Sequence, residues 1–478
     1  MSIKELSKIY LNWEDDNQLF NLKSNSFPIY ALLRMQLYHS FLFGNDVVEE
    51  FTKDSLDKVK KISITKVLIN SLSFFFSFWK LKKDILIFSN SANRKKTGSV
   101  YKDILFDNIR DEQCEKSVIL EFPQIGTYHY KNSYHQQHIV KGDFFYALEK
   151  IFKSKLNIEE IQEIISFITK EYLSLWEKVH ETKINSEALN NQMILKSKRN
   201  LSRIVIYKNL LKLFKPKHIY LKAGYVPQSQ IIIFIAKQLK INVVEMQHGH
   251  IYSLHGGYVY PKNSNLGLFP DKIAVWSKYY EGILFKNGWS YDRIKVLGDY
   301  TELEKLNDSL SSQTMNTTLM KIKNNHEHVI TIVSQHSIEY VFVNFLKKLQ
   351  NLDKNLGVIL KLHPRLQEKQ TSFFEKELTQ LDNLFFISNV DIKECFFISD
   401  LIIGVYSTVM IEAIEAGVPV HLIDCHESEL LCDLVDEDLV VLSSDIDKSY
   451  DLIKSVPNKV KEYKFRDKFD KLSVIELL

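Results

Sequence analysis

Histidines and glycines are concentrated in the segment MQHGHIYSLHGGY, residues 246–258. Its three histidines, His248, His250 and His255, follow the largely apolar stretch 241–244. An imidazole has a pKa near neutrality and can act as a general base, and it is also a common zinc ligand. No cysteine or acidic side chain stands nearby at a spacing that would complete a zinc site, and the glycines loosen the loop. The pattern therefore favours a catalytic or substrate-contacting loop with no metal or other cofactor.

A second set of candidate residues follows a predicted strand in the C-terminal half. The apolar run Val358–Leu362 is predicted to be a strand that delivers His363 to its carboxyl end, where Pro364 stops it and Arg365 adds a cation. A histidine with an arginine at a strand end suits a phosphate or diphosphate. The alternative is a histidine in a turn whose ring only packs.

Hydroxyl side chains follow a later predicted strand of that half. Ser407 and Thr408 open a predicted helix after the strand Leu401–Ile403. Their hydroxyls and the free N–H groups of the first turn can hold a phosphate, or they can simply cap the helix. Glu412, one turn into the helix, can reach ribose hydroxyls or point into solvent.

Other polar residues also stand at predicted strand ends. Lys222 and Tyr225 lie in LKAGY, and the basic segment 89–96 follows the first strand, so both can contact the phosphate or sugar of an acceptor. Ser334 and Gln335, in TIVSQHS, end the first strand of the C-terminal half. A solvated turn is the alternative interpretation for each of these groups.

The composition is that of a globular protein of more than one domain. A chain of 478 residues is too long for one core, so two or three domains are expected. The net charge of +3, from 62 basic and 59 acidic residues, gives no overall signature of nucleic-acid binding. Four cysteines without a C-x-x-C pair favour a reducing compartment. The N-terminal residues lack the apolar segment of a signal peptide, so we expect a cytoplasmic protein.

The elements that position these residues alternate between short apolar runs and helical segments. Runs of four to six apolar residues between helices are typical of parallel strands buried on both faces. This alternation of strands and helices starts at Asp84. It is interrupted in the Ser/Thr/Asn-rich stretch between Thr301 and His326 and then resumes. We therefore predict an α/β protein with a helical N-terminal segment at 1–83, one Rossmann-like domain at 84–305 and another at 325–478. Ligands of such doubly wound domains bind at the carboxyl ends of the strands.

One segment in the N-terminal part is both aromatic and flanked by lysines. Residues Ile62–Trp79 carry a single charge, Lys66, and end in FFFSFW. Eighteen residues barely reach the length of a transmembrane helix, and serines dilute the segment. A helix on an anionic membrane surface and a helix buried in the first domain are both consistent with this pattern.

The order of these motifs resembles that of GT-B glycosyltransferases, which have two Rossmann-like domains facing a central cleft. The C-terminal half looks most like that of bacterial surface-polysaccharide enzymes, namely Kdo transferases, sialyl- and polysialyltransferases and teichoic-acid polymerases. In those families a His-Pro motif and a Ser/Thr motif hold the donor's nucleotide phosphate, and here His363-Pro364 and Ser407-Thr408 match them. In the polymerases a His-Gly pair at an equivalent strand end supplies the base, and Gln247-His248-Gly249 looks like that element.

The resemblance implies an inverting, metal-independent glycosyltransferase that builds capsule or lipopolysaccharide. His248 would be the base, and Gly249 would let the chain turn beside the substrate. Gln247 and His250 would shape the loop or touch the acceptor. The sialyltransferases place an acidic residue before a glycine instead, so Glu245 stays open as an alternative base.

The donor that the resemblance implies is a CMP-activated acidic sugar, and the acceptor is a glycan or a lipid-linked oligosaccharide. A UDP-sugar or CDP-polyol donor is an alternative on the same scaffold. An isomerase like the UDP-sugar 2-epimerases, or a non-catalytic nucleotide-sugar binder, would belong to a different class. The expected location is the cytoplasm, with the inner face of the membrane as a further partner and no nucleic acid.

Overall fold

Two parallel β-sheets organise the computed structural model. It describes residues 1–56, 64–123, 129–145, 148, 158–261, 267–301, 316–335, 338–349, 355–362, 367–378, 383–388, 390–445, 447–455 and 463–477.

Within these described residues, the N-terminal sheet has seven strands in the order β7-β6-β3-β8-β9-β10-β11, and all its neighbouring pairs are parallel. The strands are β3 (Ile85–Asn90), β6 (Ser117–Phe122), β7 (Ile139–Lys141), β8 (His218–Lys222), β9 (Asn242–Met246), β10 (Lys272–Val275) and β11 (Ile294–Val296). Two small antiparallel hairpins precede or follow β3, formed by β1 (Lys23–Ser24) with β2 (Phe27–Pro28) and by β4 (Arg94–Thr97) with β5 (Val100–Asp103).

The C-terminal sheet has six described strands in the order β14-β13-β12-β15-β16-β17, again all parallel. These strands are β12 (His328–Val333), β13 (Leu356–Lys361), β14 (Leu384–Ile387), β15 (Leu401–Gly404), β16 (Val420–Ile423) and β17 (Val441–Ser443). Every residue of β13 and β15 is buried, as expected for strands covered on both faces.

Helices connect the strands. In the first half they are α1 (Ile3–Asp16), α2 (Arg34–Phe43), α3 (Val47–Leu56), α4 (Ile64–Ser77), α5 (Asp107–Arg110), α6 (Ile158–His180), α7 (Ser186–Phe214), α8 (Pro227–Gln238) and α9 (Lys278–Lys286). In the second half they are α10 (Thr317–Asn325), α11 (Glu339–Leu349), α12 (Gln367–Glu377), α13 (Ile392–Ile398), α14 (Val409–Glu415), α15 (Cys432–Asp436) and α16 (Asp447–Ser455). None of the helices in the described part of the chain is both long and apolar enough to cross a bilayer.

The strand orders confirm the prediction of two Rossmann-like, doubly wound α/β domains. In each sheet the chain starts at a central strand, builds outward to one edge, and then returns to build the other side. The direction changes between β3 and β8 in the first sheet and between β12 and β15 in the second. Ligands of open α/β sheets bind at such a switch point, beyond the carboxyl ends of the two central strands.

The chain divides into two units, Ile3–Leu303 together with Arg466–Leu478, and Glu304–Phe465. The N-terminal helices expected as a separate segment at 1–83 belong to the first unit, because their apolar faces and a buried ion pair pack within it. The C-terminal residues, expected at the end of the 325–478 domain, belong to the first unit as well.

The C-terminal tail also differs from the predicted helix. Of its described residues only Leu472–Leu477 form a short 3-10 helix. Asp467 N donates to the carbonyl of Trp276 (3.0 Å), and Asp470 N donates to that of Leu297 (2.8 Å), so the tail is held by the chain beyond β10 and β11. Gly298 has a φ of +81°, and a Cβ there would lie 2.2 Å from the carbonyl oxygen of Lys468. Glycine is required at this approach.

Candidate functional site

His248 lies just beyond the carboxyl end of β9, beside the switch point of the first sheet. The Tyr225 hydroxyl, from the loop after β8, is 3.4 Å from Nε2 of His248. Nδ1 is buried and has no hydrogen-bond partner among the described residues. A buried ring nitrogen without a partner leaves room for a hydrogen bond to a bound group.

Burial keeps the His248 ring in its neutral form. Desolvation, followed by the charge of Lys222, lowers the pKa of His248 to about 4. His250 and His255 lie in the same loop, and burial lowers the pKa of each to about 3. The loop thus holds three uncharged imidazoles at neutral pH, each able to accept a proton or a hydrogen bond.

Glu245, the alternative base, is fully buried within the same strand end. Its Oε1 accepts a hydrogen bond from the Tyr258 hydroxyl (2.8 Å), and its carboxylate also accepts from the backbone N–H of Gly224. Burial raises the pKa of Glu245 to about 7. Both of its partners belong to the protein, so Glu245 ties β9 to the neighbouring loops, whereas His248 has an unfilled position.

Gln247 fixes the start of the histidine loop. Its side-chain oxygen accepts from Trp276 N (2.8 Å), its amide donates to the carbonyl of Gly249 (2.9 Å), and its own carbonyl accepts from the Tyr300 hydroxyl (2.5 Å). The side chain is buried, and these contacts hold the start of the loop.

Two glycines of the loop differ in what they require. A Cβ at Gly257 would lie 2.2 Å from the Tyr225 ring, so only glycine allows this close approach. Gly249 has no positive φ, and a Cβ there would meet no atom within 4 Å. The backbone of Gly249 therefore does not itself require glycine, and the position is open.

An arginine of the N-terminal helices holds the far part of the loop. Arg34 of α2 is buried and forms an ion pair with Glu14 of α1, Nε to Oε1 at 2.5 Å. Its guanidinium also donates to the carbonyls of Gly256 and Val259 and lies over the Tyr260 ring at 4.3 Å.

The contact of Arg34 with the loop was not predicted, although the sequence pattern of the two helices indicates a buried charge pair. Glu14 falls on the buried face of α1 and Arg34 on the buried face of α2, at spacings otherwise occupied by apolar residues. Charges of opposite sign on the apolar faces of successive helices indicate a buried pair.

Lys222 and Tyr225, which were predicted to contact an acceptor, have partners within the protein. Lys222 donates from Nζ to Oδ1 of Asn93, across the switch point, and burial lowers the pKa of Lys222. Tyr225 packs its ring against His255, with centroids 5.2 Å apart, and against Tyr258, at 5.4 Å. Both residues lie beside His248.

Arg94 does not form part of an exposed basic turn. It is buried and makes ion pairs with Glu121 at the end of β6 and with Asp107. Glu121 also contacts His129, whose other ring nitrogen lies 2.6 Å from Asp143. The expectation that Arg94 contacts an acceptor phosphate is therefore wrong, because its charge is balanced within the protein.

In the second unit, the loops after β12 and β15 meet at the switch point. Gln335 accepts through its side-chain oxygen from Tyr406 N at 3.0 Å. The Ser334 hydroxyl is buried and donates to the carbonyl of Lys361 (3.1 Å). This hydrogen bond joins the ends of β12 and β13. Gln335 thus bridges the two loops at this edge of the sheet.

Ser407 and Thr408 lie at the start of α14. Ser407 Oγ accepts from Val409 N (3.3 Å), which is the capping role, while the Thr408 side chain makes no cap hydrogen bond and is exposed. Glu412 is half-buried in the first turn. The predicted phosphate ligands His363, Pro364 and Arg365 lie outside the described residues.

No protein-family model matches the chain, and no curated protein does. Among solved structures, it is similar to the UDP-GlcNAc 2-epimerase of Methanocaldococcus jannaschii in complex with UDP-GlcNAc and UDP, with a TM-score of 0.46, 13% identity and coverage of 82% of this chain and 98% of that one.

Two further solved structures are similar at the same level. The UDP-GlcNAc 2-epimerase of Neisseria meningitidis bound to UDP-GlcNAc has a TM-score of 0.43 and 15% identity, over 78% of this chain and 90% of that one. A spinosyn rhamnosyltransferase complexed with spinosyn aglycone has a TM-score of 0.39 and 10% identity, over 82% and 95%.

Proposed function

We propose that this protein is an inverting glycosyltransferase of the GT-B class. It transfers a sugar from a nucleotide-activated donor to a glycan or lipid-linked acceptor, and His248 is the base. The proposal rests on His248, which stands at the carboxyl end of β9 with a neutral ring and one ring nitrogen that has no partner among the described residues. Strand ends at a switch point are where such folds bind their ligands.

The reaction is a displacement at the anomeric carbon of the donor sugar. The acceptor hydroxyl forms a bond to this carbon on the face opposite the leaving group, and the bond from the carbon to the donor's phosphate oxygen breaks. The acceptor proton goes to the lone pair of the neutral His248 ring, and the nucleotide leaves with the electron pair on its phosphate. Cations and N–H groups near that phosphate stabilise its charge.

His248 meets the requirement that a base be unprotonated before reaction. With a pKa of about 4 it is neutral at physiological pH, although a base this weak has little driving force for taking a proton. An anionic donor bound close to the ring raises its pKa towards neutrality. Binding of the donor thus prepares the base.

Phosphate binding is assigned to residues of the second unit. The first-turn N–H groups of α14 and the exposed Thr408 hydroxyl can hold the phosphate, with Glu412 towards the ribose. Ser407 and Gln335 support that loop through the contacts described above. His363, Pro364 and Arg365 join this set through the His-Pro resemblance.

The donor proposed is a CMP-linked acidic sugar used in capsule or lipopolysaccharide synthesis, and calorimetry with CMP, CDP, UDP and GDP tests it. Tight binding of CMP is the expected result. Binding of UDP alone would exclude the CMP-linked donor, and binding of CDP alone would favour a CDP-polyol. Conversion of a UDP-sugar in the absence of any acceptor would identify a 2-epimerase instead.

A pair of isosteric variants tests the base. His248→Gln is expected to lower turnover about 10²- to 10⁴-fold with nucleotide affinity unchanged, because a general base is lost while the loop keeps a polar side chain. Glu245→Gln retains hydrogen bonds to the Tyr258 hydroxyl and is expected to retain most activity. If Glu245→Gln lost activity while His248→Gln turned over normally, the assignment would be reversed, and normal turnover by both would contradict it.

A further inference from the structure

The helix α4 carries apolar side chains on a face that is open to solvent. Ile69, Leu72, Phe75 and Phe76 are all exposed, with exposed fractions of 61% for Leu72 and 82% for Phe76. At 3.6 residues per turn they share an arc of about 120°. Trp79, 64% exposed, follows one turn later in the adjoining 3-10 helix. These five residues form what we call the α4 ridge.

The other sides of α4 are fixed to the first unit. Phe74 is buried and its ring stacks on Phe144 at 5.2 Å. Asn70 donates to Asp143 (3.0 Å) and accepts from Lys141 (3.1 Å). The helix is therefore docked through one face. Phe75 of the α4 ridge touches the margin of this packing, with its ring 4.9 Å from that of Phe144, and is still 53% exposed.

A third side of α4 is polar. Ser73, Ser77 and Lys80 line a pocket of 320 Å³ together with residues of the first sheet's edge, among them His129 and Lys141. On the helical wheel this polar side adjoins the α4 ridge. The part of the helix that faces solvent is thus amphipathic. Its apolar face, the α4 ridge, lies next to a face that carries hydroxyl groups and a lysine.

Along the sequence, the charged residues next to the α4 ridge have one sign. Of these residues, Lys83 is paired with Glu115. Between Lys58 and Lys83 the sequence has seven lysines and no acidic residue. Lys80 and Lys82 follow the ridge directly. The end of α7, whose Phe214 ring contacts Phe78 at 6.4 Å, adds exposed Lys212 and Lys215. An apolar face with aromatic residues and a rim of lysines is complementary to an anionic bilayer, where rings enter the interface and lysines meet lipid phosphates.

We propose that the α4 ridge is a membrane-docking surface that inserts into the interface of an anionic bilayer, with α4 lying in the plane of the membrane. Trp79 sits at the boundary between headgroups and acyl chains, which indole rings prefer. A second copy of the chain is a poorer occupant, because a two-fold contact through this face would bring two lysine-rich rims together. The proposal does not depend on the reaction assigned above.

Partitioning of the full-length protein onto lipid vesicles tests this surface. The vesicles contain phosphatidylcholine with about one quarter phosphatidylglycerol, and the comparison vesicles contain phosphatidylcholine alone. We expect preferential binding to the anionic vesicles that weakens as salt rises from about 0.05 M to about 0.5 M. The other four tryptophans are buried, so a blue shift of fluorescence on binding would come from Trp79.

Three variants make the test specific. Phe76→Ser combined with Trp79→Ser is expected to weaken partitioning about tenfold or more. Lys80→Gln combined with Lys82→Gln is expected to reduce the salt dependence without abolishing it, because other lysines of the rim remain. Phe397→Ser, at a residue that is 76% exposed in the second unit, is the matched control and is expected to bind like the wild type. All of these side chains are exposed or half-buried, and unchanged melting temperatures would verify folding.

Two results would overturn the proposal. One is equal partitioning of the wild type and the Phe76→Ser, Trp79→Ser variant. The other is a lipid-independent dimer, seen by light scattering, that this variant converts to a monomer while the wild type shows no affinity for vesicles. The second result would assign the α4 ridge to self-association.

Discussion

Burial brings two titratable groups beside β9 to neutral or nearly neutral forms. His248 has its pKa lowered to about 4 and Glu245 has its pKa raised to about 7, so the two groups move in opposite directions for one physical reason, the loss of water around a charge. The residue types of His248 and Glu245, and their positions near a predicted strand end, made both side chains candidates for the base. Their protonation was not predictable, because the residues that bury them come from distant parts of the chain.

Lys222 offers a direct test of this electrostatic picture through the pH dependence of activity. Its charge lowers the pKa of His248, so Lys222→Met is expected to raise that pKa and to move the acid limb of kcat/KM to higher pH. In the wild type the limb should lie near pH 4, below the value of about 6.5 for a free histidine. Rate profiles between about pH 3 and pH 8 measure the acid limb of the wild type and that of the variant. A limb that did not move, or one at 6.5 in the wild type, would rule out His248 as the titrating base.

At the level of elements, the buried strands were predictable and the edges were not. Continuous apolar runs predicted β3, β6, β8, β9 and β13, because strands covered on both faces need such runs. The three-residue edge strand β7 and the hairpin of β4 with β5 were not predicted, because short or half-exposed strands lack that pattern. The support of the histidine loop by α2 also escaped prediction, since Arg34 and Gly256 are 222 residues apart.

Removing the Arg34 guanidinium is expected to disorganise the histidine loop. Arg34→Met leaves Glu14 buried without its ion pair and frees the carbonyls of Gly256 and Val259, so we expect a loss of about 3–5 kcal/mol in the stability of the first unit, with a parallel fall in turnover. All five tryptophans lie in that unit, so their fluorescence follows its unfolding in urea. Arg199→Met, at an exposed position on α7, is the control and should change little. A stable Arg34→Met variant with full activity would contradict the role of this arginine.

At the scale of the whole molecule, the repeated alternation of strands and helices predicted two doubly wound domains. The return of residues 466–478 to the first unit was not predictable. Its backbone hydrogen bonds to Trp276, Leu297 and Asp299 leave no pattern of side chains in the sequence. Its side-chain contacts, Arg466 over the Trp276 ring and Phe469 beside Tyr300, join residues that are far apart in the sequence.

The close approach of Gly298 to the tail can be tested with one methyl group. Gly298→Ala places a Cβ against the Lys468 backbone at a positive φ, so it is expected to destabilise the first unit by at least about 1–2 kcal/mol. Gly282→Ala, within α9 and with no atom within 4 Å of its Cβ, is the matched control and is expected to be neutral or slightly stabilising. Urea unfolding followed by tryptophan fluorescence gives both values. Equal stability of the two variants would mean that the tail is not needed by the first unit.

The tail also sets the order in which the protein can be completed during translation. The ribosome makes the chain of the first unit, then all of residues 304–465, and only afterwards the segment that binds beside β10 and β11. At ordinary synthesis rates this interval is roughly 10–30 s, which is long enough for the second unit to fold on its own. The first unit therefore waits, with the carbonyls of Trp276 and Leu297 unpaired by the tail, until residues 466–478 have been made. A chain that is released early carries a complete second unit and an unfinished first one.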